Sequence, residues 1–285
     1  MPAWVFFFCA LLSAAGGVAS QMAADEETRR ATGLQFDELQ ILGDLEVEIS
    51  QGDVTELQMR GAAQQLDEPP FYVKGSTLVL GSQKRAGAAG SASDQAPLRF
   101  RVVTPSFAGL TVKGSAKVYI KPFDFSKSQG ERGDTEPPVL ALEGSGDVNA
   151  FELRGTGLEV RVEGSGNFRA VRIDVDSLTA VIAGGGHLFV ETLQASRGEF
   201  TVTGSGDAEV TGQGAVETLE VNVVGSGDIR MSMVNSRRAE SNIVGSGSAW
   251  IGEVSEQLNA SVLGSGEVVY GGSPEVERVE LGSGE

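Results

Sequence analysis

The tripeptide Gly-Ser-Gly returns along the second half of the chain at a near-constant interval, and this recurrence restricts the fold more than any other feature. It begins at Gly144, Gly164, Gly204, Gly225, Gly245, Gly264 and Gly282, and the variant Gly184-Gly185-Gly186 fills the gap after Gly164. Successive starts lie 20, 20, 20, 21, 20, 19 and 18 residues apart. Gly114-Ser115-Ala116 reads as an earlier, divergent member. A fixed period of this length marks an array in which one unit cannot bury its apolar face, so neighbours stack to share a core.

The flanks carry the same period. Two residues before each turn stands an apolar side chain: Val112, Leu142, Val162, Ile182, Val202, Val223, Ile243 and Val262. After the turn come the pairs Val118/Ile120, Val148/Ala150, Phe168/Ala170, Leu188/Val190, Ala208/Val210, Ile229/Met231, Ala249/Ile251 and Val268/Tyr270. Alternation on both sides of a glycine turn predicts two half-buried strands per repeat. The final turn departs from this rule, because Glu280 stands where an apolar residue belongs. Gly144, Gly164, Gly184, Gly204, Gly225, Gly245 and Gly264 are the expected structural corners, needing positive φ or close backbone approach. Their serines can bond to turn backbone or to the serine of the next coil. Coils stacked about 4.8 Å apart would make eight of them into a rod on the order of 40 Å long. The expected fold is all-β: a β-solenoid over residues 139–285.

Upstream, residues 33–123 are β-like but less regular, with Leu45, Val47 and Ile49 alternating and with strands expected at Thr77–Leu80 and Leu98–Val103. Polar stretches at 82–97 and 124–138 read as loops, and residues 33–285 as one continuous domain. Residues 21–32 read as a charged, flexible leader. The first twenty residues read as a signal peptide. The apolar run Trp4 to Leu12 is too short to span a bilayer, and Val18-Ala19-Ser20 fits a cleavage site before Gln21. Export to a periplasm, a cell surface or the medium follows, with a retained anchor as the alternative. Cys9, the only cysteine, lies in this segment, so the mature chain would carry no disulfide and no membrane span.

The formal net charge of −17, from 39 acidic and 22 basic side chains, opposes nucleic acid and anionic lipid as partners. Two outward ladders hold the candidate sites. In the first, Asp147, Asn167, His187, Asp207, Asp228, Ser248 and Glu267 follow the turns. Asp207 and Asp228 can share a Ca²⁺ ion with turn carbonyls; the other reading has short polar side chains closing the turn through backbone hydrogen bonds. The second ladder is Asn149, Arg169, Phe189, Glu209, Arg230, Trp250 and Val269. Here Arg230, Trp250 and Phe189 are candidates for surface binding, since an outward Trp beside an Arg can stack on a sugar or a partner's side chain. A Trp250 covered by other parts of the chain is the alternative. His187 is the only histidine, and no nucleophile elbow, His/Cys cluster or phosphate loop is present, so no catalytic residue and no cofactor is expected. Arg132-Gly133-Asp134 and the sequon Asn259-Ala260-Ser261 are short, weakly specific motifs.

The opening FDELQILGDLEVEISQGD (36–53), the later TLVL (77–80), the strand RFRVVTPSFAGLTVKGSAKVYI (99–120) and the tandem GSGD-type coils together resemble the bacterial head GIN domain family of auto-transporter adhesins. The resemblance implies an exported β-helix-like fold with an adhesive role and no catalytic residues. No translocator barrel follows the repeats, so autotransport by this chain alone is not expected. Three function classes result: a non-catalytic binding or adhesion module for an extracellular protein or glycan, a self-associating structural module of the cell envelope acting through solenoid ends, and a β-helix polysaccharide-active enzyme. The first is the preferred reading.

Overall fold

The computed structural model describes residues 26–67, 70–81, 98–126 and 136–283. The signal segment with Cys9, the 82–97 stretch and the Arg132-Gly133-Asp134 motif lie outside the described residues. Within them the chain is almost entirely strand, with one short helix at Ala63–Leu66.

The repeats stack in parallel and in register. Gly144 pairs with Gly164, and the column continues through Gly184, Gly204, Gly225, Gly245, Gly264 and Gly282. It also extends upstream, where Gly114 pairs with Gly144 and Gly43 with Gly114. Nine steps of about 4.8 Å give a column of about 43 Å. Two separate constraints keep the corners glycine. At Gly204, φ is +118° and a Cβ would lie 2.5 Å from the Gly184 carbonyl oxygen. At Gly206 φ is not positive, yet a Cβ would lie 2.2 Å from the Gly186 oxygen. The close approach has a use, because the Gly184 carbonyl accepts the Ser205 N–H at 3.0 Å and the Gly206 N–H at 2.9 Å. The expected contact between stacked serine hydroxyls occurs at Ser265 and Ser283, 3.3 Å apart.

The apolar positions read from the flanks line a continuous core, Val112 through Val262 before the turns and Val118/Ile120 through Ala249/Ile251 after them. The last pair differs: Val268 is only partly buried and Tyr270 is exposed, because their strand pairs on one side alone among the described residues. A coil also has more inward stretches than the two expected. In Asp147–Gly164 the buried side chains run Val148, Ala150, then Leu153, then Leu158, Val160 and Val162, with Gly157 buried beside Leu158. The alternation breaks at Phe151-Glu152 and again at Gly155–Gly157, giving three inward stretches per coil. Bulky and small residues trade along the axis, as where the Phe200 ring lies against Gly198 at a position held by Leu178 and Leu219 in the flanking coils.

The irregular N-terminal region belongs to the same stack, with its layers laid down out of sequence order. Glu38–Gly43 lies between Thr77–Leu80 and Gly109–Gly114, and Glu46–Gln51 between Arg99–Thr104 and Lys117–Ile120. Antiparallel strands then close this end: Glu56–Ala62 on Arg99–Thr104, Glu26–Thr32 on Glu56–Ala62, and Phe71–Lys74 on Thr77–Leu80. The expected flexible leader is therefore strand from Glu26 onward. It is pinned where Glu26 pairs with Arg60 and where Arg29 donates to the Leu66 carbonyl and to Glu27. The loop expected from residue 124 does not begin there, because Asp124 is strand and Phe125 is buried in a cluster with Phe107 and Phe123, ring centroids 4.7–5.2 Å apart.

At the far end Arg278 and Glu280 stand in register with the buried or half-buried Ala260 and Val262, and they pair with each other. Glu280 is thus half of an ion pair on the last strand among the described residues.

Candidate functional site

The in-register stack turns each outward position into a row of side chains. In the row after the turns, Asn167 Nδ2 donates to Asp147 Oδ1 at 2.8 Å. Asp207 Oδ1 accepts the Asp228 N–H at 2.9 Å, and Asp228 Oδ1 accepts the Ser248 N–H at 2.9 Å. The second oxygens face a guanidinium, with Arg230 at 2.5 Å from Asp228 and 3.5 Å from Asp207. His187 Nδ1 lies 3.7 Å from Asp207 Oδ2. A Ca²⁺ ion shared by Asp207 and Asp228 would therefore compete with Arg230 and with two backbone donors. Among the described residues no three His, Cys, Asp or Glu side chains converge on a metal position.

The second row runs Tyr119, Asn149, Arg169, Phe189, Glu209, Arg230, Trp250 and Val269, each in register with the next. Two cation–aromatic pairs form within it. The Arg169 guanidinium carbon lies 5.1 Å from the Phe189 ring centroid, and that of Arg230 lies 5.4 Å from Trp250. Phe189 and Trp250 are half-buried, each held between its neighbours in the row. Arg230 is the joint of the two rows, reaching the carboxylates on one side and the indole on the other. Tyr119 extends this row, although the ladder read from the sequence began only at Asn149; the inward pair Val118/Ile120 on either side of it was the signal that could have placed it.

Two further features carried no sequence signal. A groove of about 530 Å³ follows the corner near residues 174–176, with a floor of Val175, Ala195, Val216 and Ser236 in register. An exposed aliphatic row, Val224, Val244, Leu263 and Leu281, stands just before the corner glycines, its members 45–64% exposed. Upstream the same position holds Lys113, Glu143, Glu163, Ala183 and Thr203, so no repeat consensus points to it. No helix among the described residues is long and apolar enough to cross a membrane.

Solved structures share this architecture. A putative lipid binding protein from Parabacteroides distasonis is 25% identical, with 92% of this chain and 96% of that chain covered at a TM-score of 0.66. A putative adhesin from the same organism aligns at 16% identity, covering 92% and 96%, with a TM-score of 0.65. Another putative adhesin, from Parabacteroides merdae, aligns at 16% identity, covering 92% and 95%, with a TM-score of 0.57. No curated protein matches the chain. The family model described as "Putative auto-transporter adhesin, head GIN domain" matches residues 35–216 and 172–274. With nearly the whole stack spanned by that match, the chain belongs to the head GIN domain family of adhesin-like proteins.

Proposed function

We propose that this chain is an exported, non-catalytic recognition module that engages an extracellular protein or glycan through its outward rows. The observation that carries the reading is the row holding the Arg169–Phe189 and Arg230–Trp250 pairs, fixed on a rigid parallel stack. Aromatic and arginine side chains dominate recognition surfaces because they offer large contact area and directional donors at low entropic cost. Backbone hydrogen bonds hold these residues in place before any partner arrives, so little ordering is needed on binding.

The test is a screen of the purified chain against glycan and extracellular-matrix arrays, repeated with Trp250→Ala and Arg230→Ala. Loss of binding at an unchanged unfolding midpoint supports the reading. A Trp250→Ala variant that binds normally but unfolds earlier would show that the indole only supports the fold. Amino-terminal sequencing of the exported protein should start at Gln21.

A second reading draws on the neighbour named a putative lipid binding protein. The aliphatic row Val224, Val244, Leu263 and Leu281 supports it, since contiguous exposed apolar surface marks interaction sites. Displacement of a fluorescent fatty acid, abolished by Val244→Ser with Leu263→Ser, distinguishes it. Self-association by stacking on Glu275–Gly282 is opposed by Arg278 and Glu280, because a coil laid on that strand would have to desolvate their ion pair.

A further inference from the structure

We infer that the corner groove near residues 174–176 is a second binding site and that it takes a short neutral or amine-bearing oligosaccharide; this rests on reading the chain as a recognition module. Its floor is apolar apart from one group: Val175, Ala195 and Val216, then Ser236. One wall carries Asp174, Gln194, Ala215 and Asn235, in register along the axis. The facing wall carries Asp176, Ser196, Glu217 and Arg237. From Asp174 to Glu253 the groove spans four coil steps, about 19 Å.

Three properties point to a polyhydroxylated ligand. First, the side chains of Asp176, Gln194, Ser196 and Asn235 make no hydrogen bond or ion pair within the described residues. Carboxylate, amide and hydroxyl groups are left with unused donors and acceptors above an aliphatic floor. That arrangement matches sugar hydroxyls around apolar C–H faces. Second, Ser236 is 5% exposed and its Oγ lacks any hydrogen-bond partner, although it lies in the groove floor. A buried hydroxyl without a partner is costly, and a turn about χ1 that brings it to the groove surface would let a ligand hydroxyl satisfy it. Third, Asp174, Asp176, Glu217 and Glu253 outnumber Arg237, whose own charge is met by Glu256 at 2.7 Å. Asp174 has a local cation in Arg172 at 3.0 Å and Glu217 faces Arg237 at 3.9 Å, which leaves Asp176 and Glu253 without one among the described residues. The surplus repels uronates and other anionic glycans and favours neutral or amino sugars.

A peptide fits less well. Extended peptides gain affinity by pairing with a free strand edge. The strands under this groove have none, since Asn167–Gly184 pairs with Asp147–Gly164 on one side and His187–Gly204 on the other. Recognition here falls to side chains alone.

The experiment is isothermal titration calorimetry of the full chain with tetramers of glucosamine, N-acetylglucosamine and galacturonate. The glucosamine or N-acetylglucosamine tetramer should bind, and Gln194→Ala with Asn235→Ala should weaken it about tenfold or more. Ala215→Trp, which fills the groove without removing a polar group, should abolish binding while circular dichroism stays unchanged. Trp250→Ala should leave this binding intact. Absence of binding by both neutral and cationic tetramers at millimolar concentration overturns the inference. So does preference for galacturonate, or displacement by a lysine-alanine peptide that binds more tightly. If Trp250→Ala abolishes tetramer binding while the groove variants do not, the groove inference fails and the recognition-module reading stands.

Discussion

Three adjacent glycines, Gly184, Gly185 and Gly186, should respond to alanine in three different ways. At Gly184 φ is +119°, and a Cβ would lie 2.6 Å from the Gly164 carbonyl oxygen. A non-glycine residue in that region costs about 1–3 kcal/mol in backbone strain. Forcing the two coils apart adds about 1–3 kcal/mol, so Gly184→Ala should destabilise by about 2–6 kcal/mol. Gly186 has no positive φ, but its Cβ would meet the Gly166 oxygen and Val162 Cγ1, both at 2.6 Å. Overpacking of about 1–3 kcal/mol is there partly offset by the reduced entropy of the unfolded chain, about 0.4–1 kcal/mol. Gly185 is open: its Cβ would meet only Ser205 Oγ, at 3.7 Å. Gly185→Ala should therefore stabilise by about 0.4–1 kcal/mol, with no opposing term. Urea titrations analysed with a shared slope report the three midpoints. Because repeat arrays can unfold in parts, hydrogen exchange of the flanking coils should accompany them. Equal shifts for the three variants, or a neutral Gly184→Ala, would refute stacking of the corners as the reason for the glycines.

Two further outcomes follow from single side chains. Ser241 is fully buried with an unpartnered hydroxyl, in register with Val221 and Ala260, so Ser241→Ala should stabilise by about 1–3 kcal/mol in the same titration; a loss of stability would mean the hydroxyl has a partner. The Glu256 carboxyl is held below its ordinary value, chiefly by the hydrogen bond from Arg237. A depressed folded-state value contributes stability above the unfolded pKa and loses it as pH falls through the folded one. Carbon-detected NMR titration should show Glu256 ionising below an ordinary glutamate, with Arg237→Ala restoring it; both groups are solvent-exposed, so added salt should shrink the difference.

The regular half of the fold was legible because each structural need recurs in the same residue type at the same step. Gly144 through Gly264 mark the corners, and Val162, Ile182 and Val202 mark the core. The N-terminal half hid its membership. Glu38–Gly43 sits between strands that come later in the sequence, so Gly43 joins the glycine column without any period to announce it. Of the surface features, the Arg–aromatic row was legible once coils were assumed to stack, since Arg230 and Trp250 fall at equivalent positions. The groove was not. It depends on where alternation breaks within a coil, at residues 155–157 and their equivalents, and backbone direction there is not written in hydrophobic pattern. Arg278 and Glu280 show the converse, where a break in the apolar pattern supplies the two halves of an ion pair.

All of these surfaces exist only if equivalent residues sit one above another, and disulfide trapping tests that most directly. Glu209 and Arg230 are in register, as are Glu48 and Tyr119 across seventy-one residues of sequence. Glu209 and Trp250 are two coils apart, about 9.6 Å, beyond the reach of a disulfide. Cysteine pairs at 209/230 and 48/119 should oxidise rapidly without loss of structure, while the 209/250 pair should stay reduced. Free thiols in the first two pairs, or a cross-link in the third, would contradict the stack and every row derived from it.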